Sequence, residues 1–217
     1  ADGFEHVVLA TGVTARVPEI VGIEHASVVS YVDLITGRRQ AGARVAIIGA
    51  GGIGFDVAEL LTHAEPAADS PLNRFAAAWG IDLSVQARGG LVPSRDAAPP
   101  REVWLLQRKD TRLGQGLAKT TGWIRRAILE RKGVHMLGGV QYDRIDDQGL
   151  HVRVKDQPRL IGADTIVVCA GQQSRADLLG PLQQFGLPTT VIGGALLAME
   201  LDAMRAIEQG VRSAMDL

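Results

Sequence analysis

Two apolar runs end abruptly in glycine: His6-Val7-Val8-Leu9-Ala10 before Thr11-Gly12, and Thr165–Ala170 before Gly171. Such unbroken runs predict strands buried on both faces of a parallel sheet. Between them, Arg44–Ile48 passes straight into Gly49-Ala50-Gly51-Gly52-Ile53-Gly54, after which Phe55, Val57, Ala58, Leu60 and Leu61 recur at helical spacing. A further strand is expected over Glu102–Gln107, then a helix over Thr120–Arg131 with Thr120 or Thr121 as N-cap, then a short strand over Val134–Leu137. Val140–Ile145 and Leu150–Lys155 flank Asp146-Asp147-Gln148-Gly149 and read as a hairpin. The final segment, Ala198–Met215, sets Leu201, Met204, Ile207, Val211 and Ala214 on one helical face.

Two stretches are less regular. Residues 13–42 read as a connector, with turn signals at Pro18, Gly22 and Gly37 and a short helix over Ser30–Ile35. From His63 to Pro100, Ala, Pro, Asp, Ser and Gly dominate. A structureless loop of this length is uncommon in a compact domain, so it reads as an insertion with its own helix, Asn73–Trp79.

Charge narrows the partners. The 23 basic and 24 acidic side chains leave a net charge of −1, and aromatics make up 4% of the 217 residues. Neither nucleic acid nor an anionic membrane is indicated as a partner. No apolar run reaches the ~18 residues that suggest a membrane span. Cys169 is the single cysteine, so the chain forms no internal disulfide and no four-Cys cluster. With no signal-peptide pattern at the start, the expected location is cytoplasmic. His6, His25, His63, His135 and His151 show no metal-ligand spacing. No residue is nominated as catalytic or metal-binding.

The chemistry resides in the glycine loop. Gly49-x-Gly51-x-x-Gly54 alone is a weak pattern, but here a strand precedes it and a helix follows. Gly49 would allow the tight turn, Gly51 with Gly52 and Ile53 would let a pyrophosphate approach the backbone, and Gly54 would let helix and strand pack closely. Unpaired N–H groups at the helix start complement phosphate. The alternative is an ordinary glycine turn. Gly114-Gln115-Gly116-Leu117-Ala118-Lys119-Thr120 resembles a triphosphate loop only in passing, since no Gly precedes the Lys.

The choice between NAD and NADP rests on the end of the second strand of this unit. Counting ~20 residues from the glycines selects Asp69, but that residue lies in a Pro- and Ala-rich loop. The insertion moves the second strand to Glu102–Gln107, which ends in Arg108-Lys109. Two cations there suit a 2′-phosphate and point to NADPH. Lys119 and Arg112, in the following loop, are additional candidates.

The two apolar–Gly arms that bracket this unit, with Val191-Ile192-Gly193-Gly194-Ala195 before the last helix, resemble flavoprotein reductases in which an NAD(P)H domain interrupts an FAD domain. The likeness is closer to bacterial NADPH-dependent 2,4-dienoyl-CoA reductases. It is carried by Val45–Asp56, Leu106–Lys109, Gly114–Leu117, Lys119–Trp123, Val168–Gln172 and Met199–Ile207, and spans essentially the whole chain.

That resemblance implies an α/β fold: a Rossmann-like NAD(P)H-binding domain, residues 43–170 with the 63–100 insertion, set into an incomplete FAD-binding domain made of residues 1–42 and 171–217. It makes Thr11, Gly12, Ala170, Gly171, Gly193 and Gly194 candidate FAD contacts. Related reductases place Asp where this chain has Gly194. The complete enzyme would pass electrons from NADPH through FAD and a 4Fe-4S cluster to FMN, the last two in an N-terminal barrel that also binds the dienoyl-CoA substrate. The present residues would be a C-terminal portion, inactive alone. The alternatives are a related enoate or amine flavoenzyme of the same architecture, or a stand-alone dinucleotide-binding module without catalysis.

Overall fold

A computed structural model describes residues 3–63, 70–95, 97–199 and 201–216. Asp69 lies outside these residues. Along the chain run β1 (Val7–Leu9), β2 (Val13–Ala15), β3 (Val28–Ser30), α1 (Tyr31–Ile35), β4 (Arg44–Ile48), α2 (Gly52–Thr62), α3 (Pro71–Trp79) and β5 (Glu102–Leu106). There follow α4 (Gly122–Arg131), β6 (His135–Leu137), β7 (Val140–Asp146), β8 (Gly149–Val154), β9 (Gln157–Gly162) and β10 (Thr165–Val168). The last elements are β11 (Gln172–Ser174), α5 (Leu179–Gln184), β12 (Thr189–Val191), α6 (Gly193–Leu196) and α7 (Ala203–Met215).

The chain divides into two compact units, one from Pro18 to Cys169 and one from residues 1–17 with 170–217. The sequence suggested Ala43 for the first boundary. The earlier start reflects β3 and α1, which the connector reading missed apart from a short helix. β3 pairs in parallel with β10, and α1 is capped by Ser30 Oγ, which accepts from Asp33 N.

The central unit is built on a five-stranded sheet in the order β3-β10-β4-β5-β6. Every pairing in it is parallel. Strand β4 lies inside, and Val45, Ala46, Ile47 and Ile48 are fully buried, as an unbroken apolar run requires. Phe55, Val57, Ala58 and Leu61 of α2 pack into the same core with Leu105 and Leu129. Leu60, assigned to that face from spacing, instead remains 49% exposed. Helix α4 begins at Gly122 rather than Thr120. Thr121 occupies its N-cap position without a side-chain cap bond.

The expected hairpin is present as β7 and β8, and β9, which the pattern missed, adds a third antiparallel strand. The described part of the insertion carries structure of its own. Helix α3 starts at Pro71 behind the Ser70 cap and stops at left-handed Gly80. Beyond it, Asp82 accepts from the backbone N–H groups of Ser84, Gln86 and Ala87.

In the outer unit β1 pairs in parallel with β12, and β2 pairs antiparallel with β11. Among the described residues β12 is the one strand beside β1, and Val8 is 40% exposed, contrary to the expectation of a strand buried throughout. The last helix starts later than its apolar pattern implied. Asp202 caps it, accepting from Arg205 N at 2.8 Å. Met204, Ile207, Val211 and Met215 on α7 are exposed.

Candidate functional site

The glycine loop begins where β4 ends, at the carboxyl edge of the parallel sheet. Its Gly49 is left-handed, with φ of 111°, and its N–H donates to Leu106 O at 2.9 Å. An added Cβ on Gly54 would lie 2.0 Å from Gly49 O, whereas one on Gly51 or Gly52 would meet nothing within 4 Å. Close packing is thus required at Gly54, and open space lies over Gly51 and Gly52. Gly51 is the N-cap of α2 and offers no side-chain cap. The first N–H groups of the helix, at Gly52 and Ile53, therefore have no capping oxygen, and a partial positive charge is held there. These features fit a pyrophosphate.

Ile48 and Leu106 are partners in the β4–β5 register. The segment after β5 is therefore next to the glycine loop, about one strand spacing (~4.8 Å) away. Arg108 and Lys109 follow there and are exposed. Beyond them, left-handed Gly114 packs so closely on the Phe55 ring that a Cβ would be 2.7 Å from it. The loop that carries Arg112 and Lys119 therefore runs beside the first turn of α2. Lys119 is exposed, as is Trp123, whose indole N–H donates to Thr120 O at 3.0 Å.

β4 is also where the chain changes direction in the sheet. From it α2 leads to β5 on one side, while β10 returns on the other. Crevices at such switch points, outside the carboxyl ends of the strands, are where ligands bind in open parallel sheets.

In the outer unit five of the six other candidate residues are held by hydrogen bonds to side chains or backbone of the same unit, and the sixth, Gly194, by close packing. Thr11 Oγ1 donates to Arg175 O, and Arg175 N donates to Gly12 O at 3.0 Å. Arg16 donates through its backbone N–H to Gly171 O at 3.0 Å and through Nε to Ala170 O at 2.9 Å. Gly193 N donates to Gln209 Oε1 at 2.6 Å. An added Cβ on Gly194 would be 2.7 Å from Val13 Cγ1 and 2.9 Å from Leu201 Cδ2. A carboxylate side chain therefore has no room at that position, and the sequence had nothing to signal that Arg16 would tie Ala170 and Gly171 down.

Cys169 is buried, and burial pushes its thiol up to about 12. Trp104 stacks on His135, and the Arg159 guanidinium lies over the Trp104 ring, 4.5 Å from its centroid, a packing cluster. Among the described residues no group of three His, Cys, Asp or Glu is arranged to hold a metal. None of their helices is long and apolar enough to cross a membrane.

A parallel sheet whose inner strand opens into a glycine loop at an uncapped helix start defines an α/β protein of the FAD/NAD(P)-binding kind. The chain belongs to the pyridine nucleotide-disulphide oxidoreductase family, which it matches over residues 2–205. A metal reductase of Desulforamulus reducens is 26% identical over 211 residues, which is 97% of this chain and 30% of that protein. The structure of a 2-naphthoyl-CoA reductase in complex with 2-naphthoyl-CoA superposes with a TM-score of 0.74 at 19% identity, covering 98% of this chain and 27% of that one. A histamine dehydrogenase from Rhizobium sp. 4-9 gives 0.69 at 17% identity, covering 99% and 31%. At these identities the structural likeness establishes the fold. The chain spans less than a third of the length of each of these proteins.

Proposed function

We propose that this chain is the NADPH-binding portion of a flavin and iron–sulfur oxidoreductase that reduces 2,4-dienoyl-CoA in fatty-acid β-oxidation. The supporting observation is the placement of two exposed cations, Arg108 and Lys109, one strand spacing from an open glycine loop. In this reading the N–H groups of Gly51, Gly52, Ile53 and Gly54 hold the pyrophosphate, and Arg108 and Lys109 hold the 2′-phosphate. Lys119 adds positive charge from the adjoining loop. Thr11, Gly12, Ala170, Gly171, Gly193 and Gly194 supply backbone to an FAD site, with Gly194 packed too closely on Val13 and Leu201 to carry a carboxylate.

Hydride and electron transfer belong to the bound nucleotide and flavin, while the protein orients them. FMN, the 4Fe-4S cluster and the thioester site fall to the part of the enzyme beyond these residues, in the cytoplasm. The substrate assignment rests on the sequence segments that resemble 2,4-dienoyl-CoA reductases.

Calorimetric titration of the Arg108→Ala, Lys109→Ala double variant tests the nucleotide assignment. NADPH should weaken by about 1.5–3 kcal/mol per lost charge-assisted bond, with NADH nearly unchanged. Equal losses for both nucleotides would refute it.

A further inference from the structure

The turn that presents Arg108 and Lys109 is shaped by a residue with no charge. Gln107 is the first residue after β5, half-buried, and its backbone is fixed on both sides. Its N–H donates to Leu137 O at 3.0 Å, and its carbonyl accepts from Val140 N at 3.0 Å. From that base the side-chain amide nitrogen reaches forward over the turn. It donates to Lys109 O at 2.9 Å, to Thr111 O at 2.6 Å, and approaches Thr111 Oγ1 at 3.2 Å. Lys109 O is further held by Gly139 N at 3.1 Å.

Two carbonyls of the turn, those of Lys109 and Thr111, are thus drawn toward one amide. The side chains of Arg108 and Lys109 lie on the exposed side. Three oxygen atoms surround that nitrogen, so the position demands a donor. A glutamate of the same shape would face the Lys109 and Thr111 carbonyls with lone pairs and no hydrogen. A methionine would fill the space and leave Thr111 O without this donor.

We propose that Gln107 is the positioning residue for coenzyme selection: its amide sets the 108–111 turn so that Arg108 meets a 2′-phosphate. The proposal rests on the assignment of Arg108 and Lys109 given above. A group that positions a pre-formed phosphate site affects ligands with the 2′-phosphate and leaves those without it alone. A group that merely stabilises the fold affects both alike.

The test is calorimetric titration of the full chain with adenosine 2′,5′-bisphosphate and with AMP. Gln107→Met should weaken the bisphosphate roughly 5- to 10-fold, the range of one or two neutral hydrogen bonds, and leave AMP within about twofold. Arg108→Ala serves as the reference and should lose the bisphosphate selectively. If Arg108→Ala is selective while Gln107→Met changes neither ligand, or both equally, the role of Gln107 is overturned and the phosphate assignment stands. If Arg108→Ala is not selective, the phosphate assignment fails and the proposal fails with it. Should the Met variant not fold by circular dichroism, Gln107→Asn carries the same comparison. It keeps the donors, but one methylene shorter they fall short of Thr111 O, and the same selective loss is expected.

Discussion

Gly51 and Gly54 lie on the same loop under opposite constraints. A side chain on Gly54 runs into Gly49 O, so Gly54→Ala should cost about 3 kcal/mol, measured by urea denaturation. Gly51 borders open space, and Gly51→Val should unfold at nearly the urea concentration of the parent. It should nevertheless bind neither NADPH nor NADH, because the branched side chain fills the approach to the backbone. Unchanged affinity by fluorescence titration would place the phosphates elsewhere. Cys169 gives a pH prediction. An unfolded thiol ionises near ~8.5, whereas the buried one stays protonated to about 12. Above pH ~8.5 the unfolded state therefore holds fewer protons, and stability falls as pH rises, by up to about 1.4 kcal/mol per unit. Cys169→Ala should flatten that slope between pH 8.5 and 10. At this scale, the spacing of the glycines, read with the apolar strand before them and the helix after, pointed to a turn at Gly49, open backbone at Gly51 and a close contact at Gly54. The work of Gln107 and Arg16 was hidden, because both act on carbonyls that only the folded backbone brings within reach.

Among the elements, β4, β5, β6 and β10 of the central sheet, though not β3, were legible as apolar runs, most clearly β4 and β10, which are the most deeply buried. β9 was not. Its sequence, Gln157-Pro158-Arg159-Leu160-Ile161-Gly162, lacks alternation, and Pro158 would ordinarily argue against a strand. It is tolerated because β9 pairs on one side only, with β8, so the missing N–H falls at an edge. The turn into it is equally disguised. Lys155 and Asp156 both take positive φ, 50° and 61°, without glycine or asparagine to announce it. Asp156→Gly should relieve that strain and stabilise the protein by about 1 kcal/mol, read as a higher urea midpoint. The apolar face of α7 was read correctly as a periodicity and wrongly as a start point, since Asp202 interrupts the pattern as a cap. Asp202→Ala should cost about 1 kcal/mol and lower the helical signal.

For the whole molecule, the division into a continuous central unit and an outer unit made of two chain segments leads to a direct expectation. Residues 18–169 expressed alone should fold cooperatively and bind NADPH as the full chain does, since the glycine loop, Gln107, Arg108 and Lys109 all lie within that unit. Loss of binding in the excised segment would show that the outer unit contributes to the nucleotide site. The two crossings between segments run side by side: Ala15 pairs with Gln172, and Arg16 N reaches Gly171 O at 3.0 Å. The pairing of Val7 with Thr189 has a different consequence, in time. A ribosome adding about 5–20 residues per second takes roughly 10–40 s to make the intervening chain, during which the central unit can fold while β1 still waits for β12. An unpaired strand edge invites wrong partners throughout that interval. At three residues, β1 offers such partners very little to hold.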